Sequence, residues 1–491
     1  MNMSLFQTIL GELLIAERSV DKIPDFFTAD SRKVTCGAGF AAISGTAADG
    51  HDFIPSALEK GAALIVMERD IPLPPGTPSL LVKESAAAFA LLVRHTAGDP
   101  DESLKLLGVT GTNGKTTTAF LLEHIFNFAG HPCGLVSTVE YRTGAAVIPG
   151  ERTTPDPQTL FSLFRAMKEN RLEYAAMELS SHSLVQNRAA GIRLQCGIFT
   201  NLTGDHLDYH GNMENYFQAK KRLFTTFLHP QGTAVINADD PWGARLAEEI
   251  GNSCSCVTFS TENKGMCAIS EISLEKEGVR FTLHHPRFGK ISLSSNLTGF
   301  YNLQNLAGAA IAALEMGIAP DILAAALQRR IRVPGRLESF ALPGGGTAFV
   351  DYAHTDDALV NVLKTLRKIT SGRVCVLFGA GGDRDRTKRP RMGGAAAAFA
   401  DKLFVTSDNP RSEEPGKIIE DILSGIPATA TLTVIPDRGE AIRRALEELK
   451  EGESLLIAGK GHENYQEIKG VKYPFSDTEE IEKFIRERDR K

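Results

Sequence analysis

Short apolar runs alternate with amphipathic helical stretches along almost the whole 491-residue chain. Each run is soon followed by Gly, Ser, Asp or Asn, and helical periodicity begins after that. The alternation is typical of parallel sheets, whose strands are joined by helices and whose ligands bind at the carboxyl ends of the strands. It therefore predicts an α/β fold. The predicted strands are Leu104–Val109, Tyr174–Met177, Gly197–Phe199, Ala234–Asn237, Ala348–Val350, Val374–Phe378, Leu403–Val405 and Ser454–Ala458.

Two interruptions of this pattern predict three domains. The polar stretch Thr96–Lys105 forms the first interruption, and Val333-Pro334-Gly335 forms the second. We therefore predict domains at residues 1–100, 101–332 and 333–491. Between Gly265 and Leu297 the apolar residues alternate with polar ones, which predicts an antiparallel edge on the middle domain.

Composition and charge exclude several classes of protein. The 60 acidic residues outnumber the 54 basic ones, which disfavours a nucleic-acid partner. No apolar run approaches the ~20 residues of a membrane helix, and Met1–Ala16 lacks the basic start of a signal peptide. The 7 cysteines are scattered without a CxxC pair, which favours reduced thiols over disulfides or a zinc ribbon. We expect a cytoplasmic protein without membrane contact.

The strongest local motif is the glycine-rich segment Gly108–Thr117 (GVTGTNGKTT), which follows a predicted strand and precedes a predicted helix, Thr117–Phe128. Glycines let backbone amides point inward and hold phosphate at a helix N-terminus. Lys115 would then reach the β- and γ-phosphates, and the Thr116 hydroxyl would ligate Mg²⁺. The segment therefore predicts nucleotide binding.

A carboxylate and two histidines follow the next predicted strands. Glu178 ends a strand, where an oxygen ligand could face the phosphate loop and bind Mg²⁺, although a capping or solvated carboxylate is the alternative. His206 could be a second metal ligand or a phosphate contact. Its spacing to His210 raises the alternative of zinc, but the Glu of an HExxH motif is absent. From local chemistry alone, Lys220 is an ordinary surface lysine.

Motifs from Asp30 to Glu463, in all three predicted domains, resemble those of the Mur ligases, the ATP-dependent enzymes that form amide bonds in peptidoglycan synthesis. Among them the sequence resembles members that add meso-diaminopimelate to a UDP-muramoyl-dipeptide. The resemblance implies a central P-loop parallel-sheet ATPase domain, a C-terminal Rossmann-like domain and reaction through an acyl phosphate.

The resemblance also implies an ATP and Mg²⁺ site. Lys115, Glu178, His206 and Lys220 match catalytic residues, and Lys220 matches a lysine that carries an N-carboxyl group. The implied ATP contacts are Gly111, Thr112, Asn113, Gly114, Lys115, Thr116, Thr117, Asn302, Asn305, Arg336, Asp351 and His354. The implied metal ligands are Thr116, Glu178, His206 and carbamylated Lys220.

Two further substrate sites follow from the resemblance. The implied contacts to the UDP-linked dipeptide are Ser31, Thr153, Thr154, Ser180, Gln186 and Arg188, with the stretch Gly45-Thr-Ala-Ala at the uridine. The implied diaminopimelate contacts are Arg384, Asp408, Asn409, Pro410, Arg411, Gly459 and Glu463. Diaminopimelate has a second zwitterionic end, whose carboxylate suits arginine and whose ammonium suits Asp or Glu.

Other functions fit parts of the pattern. A lysine-adding Mur ligase or a folylpolyglutamate synthetase shares the ATP motif, but lysine has no distal carboxylate for Arg384 and Arg411. A P-loop switch or kinase, or a nucleotide-sensing scaffold, would leave the C-terminal charged residues without a role. Asp408–Arg411 by itself could be only a turn, because Asn-Pro is common in turns. We expect small-molecule substrates and a monomer.

Overall fold

The computed structural model describes residues 4–45, 48–275 and 278–489. Thr46 and Ala47, part of the stretch assigned to the uridine, lie outside the described residues. Contacts between residues divide the chain into two compact units. The first comprises the chain up to Ile269 with His284–Gly289 and Asn305–Ala326, and the second comprises the remainder. The predicted domain boundaries at residues 100 and 332 stay predictions.

Helices and strands alternate along both units. In chain order, the α-helices are α1 (Leu5–Leu10), α2 (Ile54–Glu59), α3 (Ser85–Thr96), α4 (Lys115–Phe128), α5 (Pro157–Glu169), α6 (Ser181–Val185), α7 (Leu207–His210), α8 (Met213–Arg222), α9 (Pro241–Ile250), α10 (Phe300–Glu315), α11 (Pro320–Gln328), α12 (Asp356–Ile369), α13 (Lys388–Phe399), α14 (Pro415–Leu423), α15 (Arg438–Glu448) and α16 (Asp477–Asp489). The strands are β1 (Leu14–Arg18), β2 (Phe27–Thr28), β3 (Gly39–Ala41), β4 (Leu64–Met67), β5 (Ser79–Val82), β6 (Lys105–Thr110), β7 (Cys133–Val136), β8 (Glu140–Arg142), β9 (Val147–Pro149), β10 (Tyr174–Glu178), β11 (Leu194–Phe199), β12 (Leu228–Asn237), β13 (Ser255–Ser260), β14 (Cys267–Glu275), β15 (Gly278–His285), β16 (Gly289–Ser295), β17 (Glu338–Ala341), β18 (Thr347–Asp351), β19 (Val374–Phe378), β20 (Lys402–Val405), β21 (Leu432–Val434), β22 (Ser454–Ala458), β23 (Tyr465–Ile468) and β24 (Val471–Pro474).

The first unit contains an N-terminal and a central sheet. In the N-terminal sheet, ordered β1-β5-β4-β3-β2, the strands β2 to β5 are parallel and β1 is antiparallel. The central sheet has the order β13-β12-β11-β6-β10-β7-β8-β9, in which β6, β7 and β10 to β13 are parallel. Parallel pairing brings the carboxyl ends of β6, β10 and β11 to one edge, where the predicted site residues begin.

Strands β14, β15 and β16 extend the order beyond β13. Strand β14 is parallel to β13 through Cys267 and Ala268. Strands β15 and β16 are neighbours joined only by residues 286–288, and so short a connection can join only antiparallel strands. This agrees with the predicted antiparallel edge.

The second unit contains a sheet ordered β17-β18-β22-β19-β20-β21, parallel except for β17. Its inner strands β18, β19 and β22 are buried along their whole length. In β19, Val374 and Val376 pack with the core that includes α12, α13 and α14, whereas Cys375 and Leu377 pack with the core that includes α15 and α16. Such a two-faced parallel sheet is the Rossmann-like arrangement predicted for this part of the chain.

All eight predicted strands are confirmed, since each overlaps a strand of the folded chain. The predicted helix Thr117–Phe128 is also confirmed, although it begins two residues earlier, at Lys115. Within residues 4–45, 48–275 and 278–489, no helix is both long and apolar enough to cross a membrane.

A buried ion pair connects the last two helices to the sheet of the second unit. Arg438, the first residue of α15, donates to both carboxylate oxygens of Asp477 in α16, at 2.7 and 2.8 Å, and both side chains are fully buried. The same guanidinium donates to the carbonyl of Ala458, at the end of β22, and to that of Ser407, just after β20. The ion pair is therefore hydrogen-bonded to the chain at the ends of two strands, β20 and β22.

We expect Asp477→Ala to lower the free energy of unfolding by about 3–5 kcal/mol, because it leaves the Arg438 guanidinium buried without its counter-charge. Urea denaturation followed by circular dichroism measures the change. Asp70→Ala is the control, because Asp70 accepts the same two-fold hydrogen bond from Arg18 on the protein surface and should matter little. Equal losses in the two variants would contradict the role of burial.

Candidate active site

The phosphate loop lies between β6 and α4, and glycine is required at two of its positions. Gly111 has φ +152° and Gly114 has φ +87°. A Cβ on Gly111 would lie 1.9 Å from the Thr200 hydroxyl, and one on Gly114 would lie 2.2 Å from Oδ1 of Asn305. The backbone N–H of Asn113 donates to the side chain of Asn201 at 2.9 Å. The loop is thus held closely by residues after β11 and in α10.

Two lysines of the predicted site donate to the same backbone carbonyl. Nζ of Lys115 lies 2.9 Å from the Gly111 oxygen and 2.9 Å from the Thr112 oxygen. Nζ of Lys220 lies 2.7 Å from the Gly111 oxygen. Lys115 therefore brings positive charge to the loop, where anionic phosphate oxygens would bind.

Lys220 is buried, so the interpretation of it as an ordinary surface lysine is wrong. It lies on α8 four residues after Tyr216, on the helix face that packs into the core, and its Nζ lies 4.6 Å from the centre of the Tyr216 ring. Burial, followed by the nearby charge of Lys115, lowers the pKa of Lys220 well below its usual range. A local pattern could not reveal this, because the burial comes from packing against distant segments.

Glu178 ends β10 as a fully buried carboxylate. Its Oε1 accepts a hydrogen bond of 2.8 Å from the backbone N–H of Thr138, and its Oε2 lies 3.3 Å from the Thr138 hydroxyl. Among the residues that the structure describes, no basic side chain forms an ion pair with it. Because a buried carboxylate normally has a cationic partner, this one is suited to a metal ion.

Three histidines gather beside this edge of the central sheet. The rings of His182 and His206 meet edge to face with centroids 4.8 Å apart, and His210 stacks on Tyr216 at 5.0 Å. Burial lowers the pKa of His206 and, more strongly, that of His210, to about 4. Nε2 of His210 is also hydrogen-bonded to the Ser181 hydroxyl at 2.9 Å. Neutral imidazoles are therefore favoured here.

The described residues do not by themselves form a complete metal site. Among the described residues, no three His, Cys, Asp or Glu side chains are grouped so that they could hold a metal ion. The Thr116 hydroxyl at the start of α4, the Glu178 carboxylate and phosphate oxygens are the hard donors that Mg²⁺ prefers. The donor chemistry therefore fits Mg²⁺ bound partly by the nucleotide.

Residues predicted to contact the UDP-linked dipeptide surround the end of β10. The Thr154 hydroxyl donates to the Glu178 carbonyl at 2.8 Å and accepts from the Ser180 backbone N–H at 3.1 Å. Arg188 donates to the Thr154 carbonyl at 2.9 Å and to Oε1 of Gln186 at 2.7 Å. The Thr153 hydroxyl lies 3.0 Å from that of Thr138, so the cluster is continuous with the groups around Glu178.

Other predicted residues lie in different parts of the chain. Ser31 is in a 3-10 turn after β2, and its carbonyl accepts from Lys60 at 2.8 Å. Asn302 and Asn305 are both in α10, where Asn305 approaches Gly114 and Asn302 donates to the Thr298 carbonyl at 2.8 Å. No contact brings Ser31 to the phosphate loop in the part of the chain that the structure describes.

In the second unit, Arg336, Asp351 and His354 are neighbours. Asp351 is buried at the end of β18 and accepts from the backbone N–H groups of Leu337 and Ala353 at 2.7 and 2.8 Å. Burial raises its pKa, and the positive charge of Arg336 opposes that shift. Arg336 and His354 both lie against the ring of Tyr352, at 4.8 Å in each case. The three predicted ATP contacts are therefore brought together.

The two arginines predicted to bind diaminopimelate both lie near Gly381. A Cβ on Gly381 would lie 2.9 Å from Nη1 of Arg411 and 3.8 Å from Cγ of Arg384. Nη1 of Arg411 donates to the Gly382 carbonyl at 2.7 Å. Arg411 itself has φ +51°; its backbone N–H donates to the Glu467 carbonyl and its carbonyl accepts from the Lys469 N–H, and these two bonds hold the left-handed conformation.

Acidic residues complete the same group of strand ends. A Cβ on Gly459, after β22, would lie 2.6 Å from Oδ2 of Asp408, after β20. Asn409 donates to Oε2 of Glu463 at 2.8 Å. Pro410 accepts from Glu413 through its carbonyl at 3.0 Å. Arginines and carboxylates therefore meet at one edge of the sheet, which suits a zwitterionic ligand.

Sequence reasoning missed two residues of these clusters. Thr138 holds Glu178 from 40 residues away, so no local motif could indicate the contact. Lys460 lies between the predicted Gly459 and Glu463, and its side chain is fully buried. Its place between two predicted residues was the only signal in the sequence.

The chain is similar to known proteins over most of its length. The family models for the Mur ligase family catalytic domain, the Mur ligase middle domain and the Mur ligase glutamate ligase domain match residues 25–91, 109–313 and 335–461. A UDP-N-acetylmuramoyl-L-alanyl-D-glutamate–2,6-diaminopimelate ligase of Geobacter metallireducens is 41% identical over 479 residues, covering 93% of each chain. A ligase of the same name from Aquifex aeolicus is 42% identical over 458 residues with the same coverage. A solved structure of a ligase of that name covers 100% of both chains with 33% identity and a TM-score of 0.71.

We expect Gly114→Ala to raise the Kd for ATP about tenfold or more, because the added Cβ must displace either the loop or Asn305. Isothermal titration calorimetry measures the affinity. Gly130→Ala is the matched control, since Gly130 follows the other end of α4 with φ +83° but has nothing within 4 Å of its Cβ position. Equal ATP affinities of the two variants would contradict the steric explanation.

Proposed function

The chain belongs to the Mur ligase family, and from this premise we propose that it joins meso-diaminopimelate to UDP-N-acetylmuramoyl-L-alanyl-D-glutamate while converting ATP to ADP and phosphate. As a family member it is an ATP-dependent ligase that forms an amide bond. The relatives at 41–42% identity, named for this reaction, support the choice of substrates.

One observation of the geometry carries the choice of amino acid. Arg384 and Arg411 both lie near Gly381, while Asp408 and Glu463 follow β20 and β22, two strands of the same sheet that have β19 between them. Diaminopimelate carries an ammonium and a carboxylate at the end away from the reacting amine, so it offers one partner to each kind of charge. Lysine would offer the arginines no distal carboxylate, and glutamate has no distal ammonium.

The proposed reaction has two steps. A carboxylate oxygen of the terminal D-glutamate attacks the γ-phosphorus of ATP, and the bond from that phosphorus to the ADP oxygen breaks, giving an acyl phosphate. The amine of diaminopimelate then attacks the acyl carbon, loses a proton, and expels phosphate as the amide forms. Phosphorylation is needed because a free carboxylate has no good leaving group.

The residues of the first unit would mainly position the reactants and offset charge. Lys115 would move from the Gly111 and Thr112 carbonyls to the phosphate oxygens and neutralise the charge that develops there. Thr116, Glu178 and His206 would hold Mg²⁺, which supplies further positive charge beside the phosphates. Asn305, beside Gly114, would hold the loop close to the nucleotide.

We further propose that Lys220 works as its N-carboxyl derivative. Lys115 and Lys220 donate to one carbonyl oxygen, and burial beside Lys115 lowers the pKa of Lys220, which favours its neutral amine. CO₂ adds to this neutral amine, forming an N–C bond and releasing one proton, so that the amine becomes an N-carboxylate. The product would attract Lys115 and offer an oxygen ligand to Mg²⁺.

The remaining substrate and assembly assignments rest on the same proposal. Thr153, Thr154, Ser180, Gln186 and Arg188, which cluster at the end of β10, would bind the dipeptide arm, and Ser31 the uridine end. All residues named for the three substrates belong to one chain, which supports a monomer. ATP and UDP-linked substrates support a cytoplasmic location.

We expect the enzyme to release ADP rapidly when it is given the UDP-linked dipeptide and diaminopimelate. With lysine or glutamate in place of diaminopimelate, ADP release should be much slower. Arg411→Ala should raise the KM for diaminopimelate by about 10–100-fold, the loss expected for charged hydrogen bonds. The KM for ATP should stay unchanged. A coupled ADP-release assay with mass analysis of the product measures both.

Arg391→Ala is the control for this assay, since Arg391 is an exposed arginine of the same unit that pairs with Asp356. Faster turnover of lysine than of diaminopimelate would favour the lysine-adding ligase. Turnover of glutamate onto a folate would favour a folylpolyglutamate synthetase. An unchanged KM for diaminopimelate in Arg411→Ala would remove this arginine from the acceptor site.

A further inference from the structure

A buried lysine lies inside the group of residues proposed to bind diaminopimelate. Lys460 follows Gly459 directly after β22, and its side chain is fully buried. Its Nζ donates to Oε2 of Glu463 at 3.0 Å and to Oδ1 of Asn409 at 3.1 Å. The same Nζ lies 5.5 Å from the centre of the Tyr465 ring.

These contacts use the oxygen and one N–H of the Asn409 amide. Its Oδ1 accepts from Lys460 and from the backbone N–H of Glu467 at 2.9 Å, and its Nδ2 donates to Oε2 of Glu463 at 2.8 Å. Asn409 therefore orients the Glu463 carboxylate together with Lys460.

The two oxygens of Glu463 have different surroundings. Oε2 accepts from Lys460 and from Asn409. In residues 4–45, 48–275 and 278–489, no donor is found for Oε1. The Glu463 side chain keeps 16% of its surface exposed, whereas that of Lys460 keeps none. The carboxylate is thus held from one side and open on the other.

Lys460 also sets the charge of this group. Asp408 and Glu463 are two carboxylates that both act on Arg438, whose own charge is balanced by Asp477. Lys460 offsets one of these two carboxylates, so among Asp408, Glu463 and Lys460 one negative charge remains for a substrate ammonium.

From these contacts we infer that Lys460 is a positioning and specificity-determining residue for the amino-acid substrate. It acts through Glu463. Its hydrogen bond occupies Oε2 of that carboxylate, so that Oε1 accepts from the distal ammonium of diaminopimelate. Lys460 itself does not touch the reacting atoms. This inference rests on the proposed function, because it assumes that diaminopimelate binds at these strand ends.

The test is a steady-state comparison of Lys460→Met with the wild type. The KM for diaminopimelate should rise about 10–100-fold, as expected for a lost charged hydrogen bond, while kcat changes less and the KM values for ATP and the UDP-linked dipeptide stay within about twofold. Lys460→Arg, which keeps the charge, should lose less. In Lys460→Met/Glu463→Gln the losses should not add, because both changes disable one carboxylate.

Lys402→Met is the matched control. Lys402 is a largely buried lysine that pairs with Glu448, and it is the first residue of β20, whereas the proposed amino-acid site follows the last residue of that strand. It should leave the KM for diaminopimelate unchanged. If Lys460→Met does not fold, Lys460→Gln gives the same comparison, because glutamine can keep a contact to Asn409 without the charge.

An unchanged KM for diaminopimelate in the folded variant would overturn the inference. So would equal rises in all three KM values, which indicate a merely structural role, or additive losses in the double variant. These results leave the proposed function intact. If the wild type does not use diaminopimelate at all, the proposed function fails, and the inference fails with it.

Discussion

The carbonyl oxygen of Gly111 is the point around which the phosphate loop is organised. It accepts hydrogen bonds from Lys115 and from Lys220, two side chains from different helices. The loop can approach Thr200 and Asn305 so closely only because glycines occupy the two tight positions. Lys115 therefore places positive charge at the loop before any phosphate arrives, and such charge contributes most in a site that excludes water.

The second unit handles charge differently. Arginines and carboxylates both lie at its strand ends. The buried side chains of Lys460 and Arg438 balance part of the negative charge. The first site suits a polyanion, whereas the second suits a zwitterion. An enzyme that phosphorylates an acid and then captures it with an amino acid needs one site of each kind.

The sequence predicted the regular parts of this structure well, because periodicity and glycine-rich turns are local signals. All eight predicted strands and the helix after the phosphate loop are present. Burial of Lys220 and the support of Glu178 by Thr138 were beyond local reasoning, since both depend on segments distant in the chain. The resemblance to a family identified Lys220 and Glu178, but not the supporting groups Thr138 and Lys460, which became visible only in the folded chain.

The central claim is that a substrate carboxylate is activated by phosphorylation, and isotope transfer tests it most directly. The UDP-linked dipeptide can be prepared with ¹⁸O in the terminal D-glutamate carboxylate that becomes the amide. The account predicts that one ¹⁸O atom per turnover appears in the released phosphate, because a carboxylate oxygen bridges carbon and phosphorus in the acyl phosphate. Phosphate free of ¹⁸O, released with formation of the amide, would contradict it.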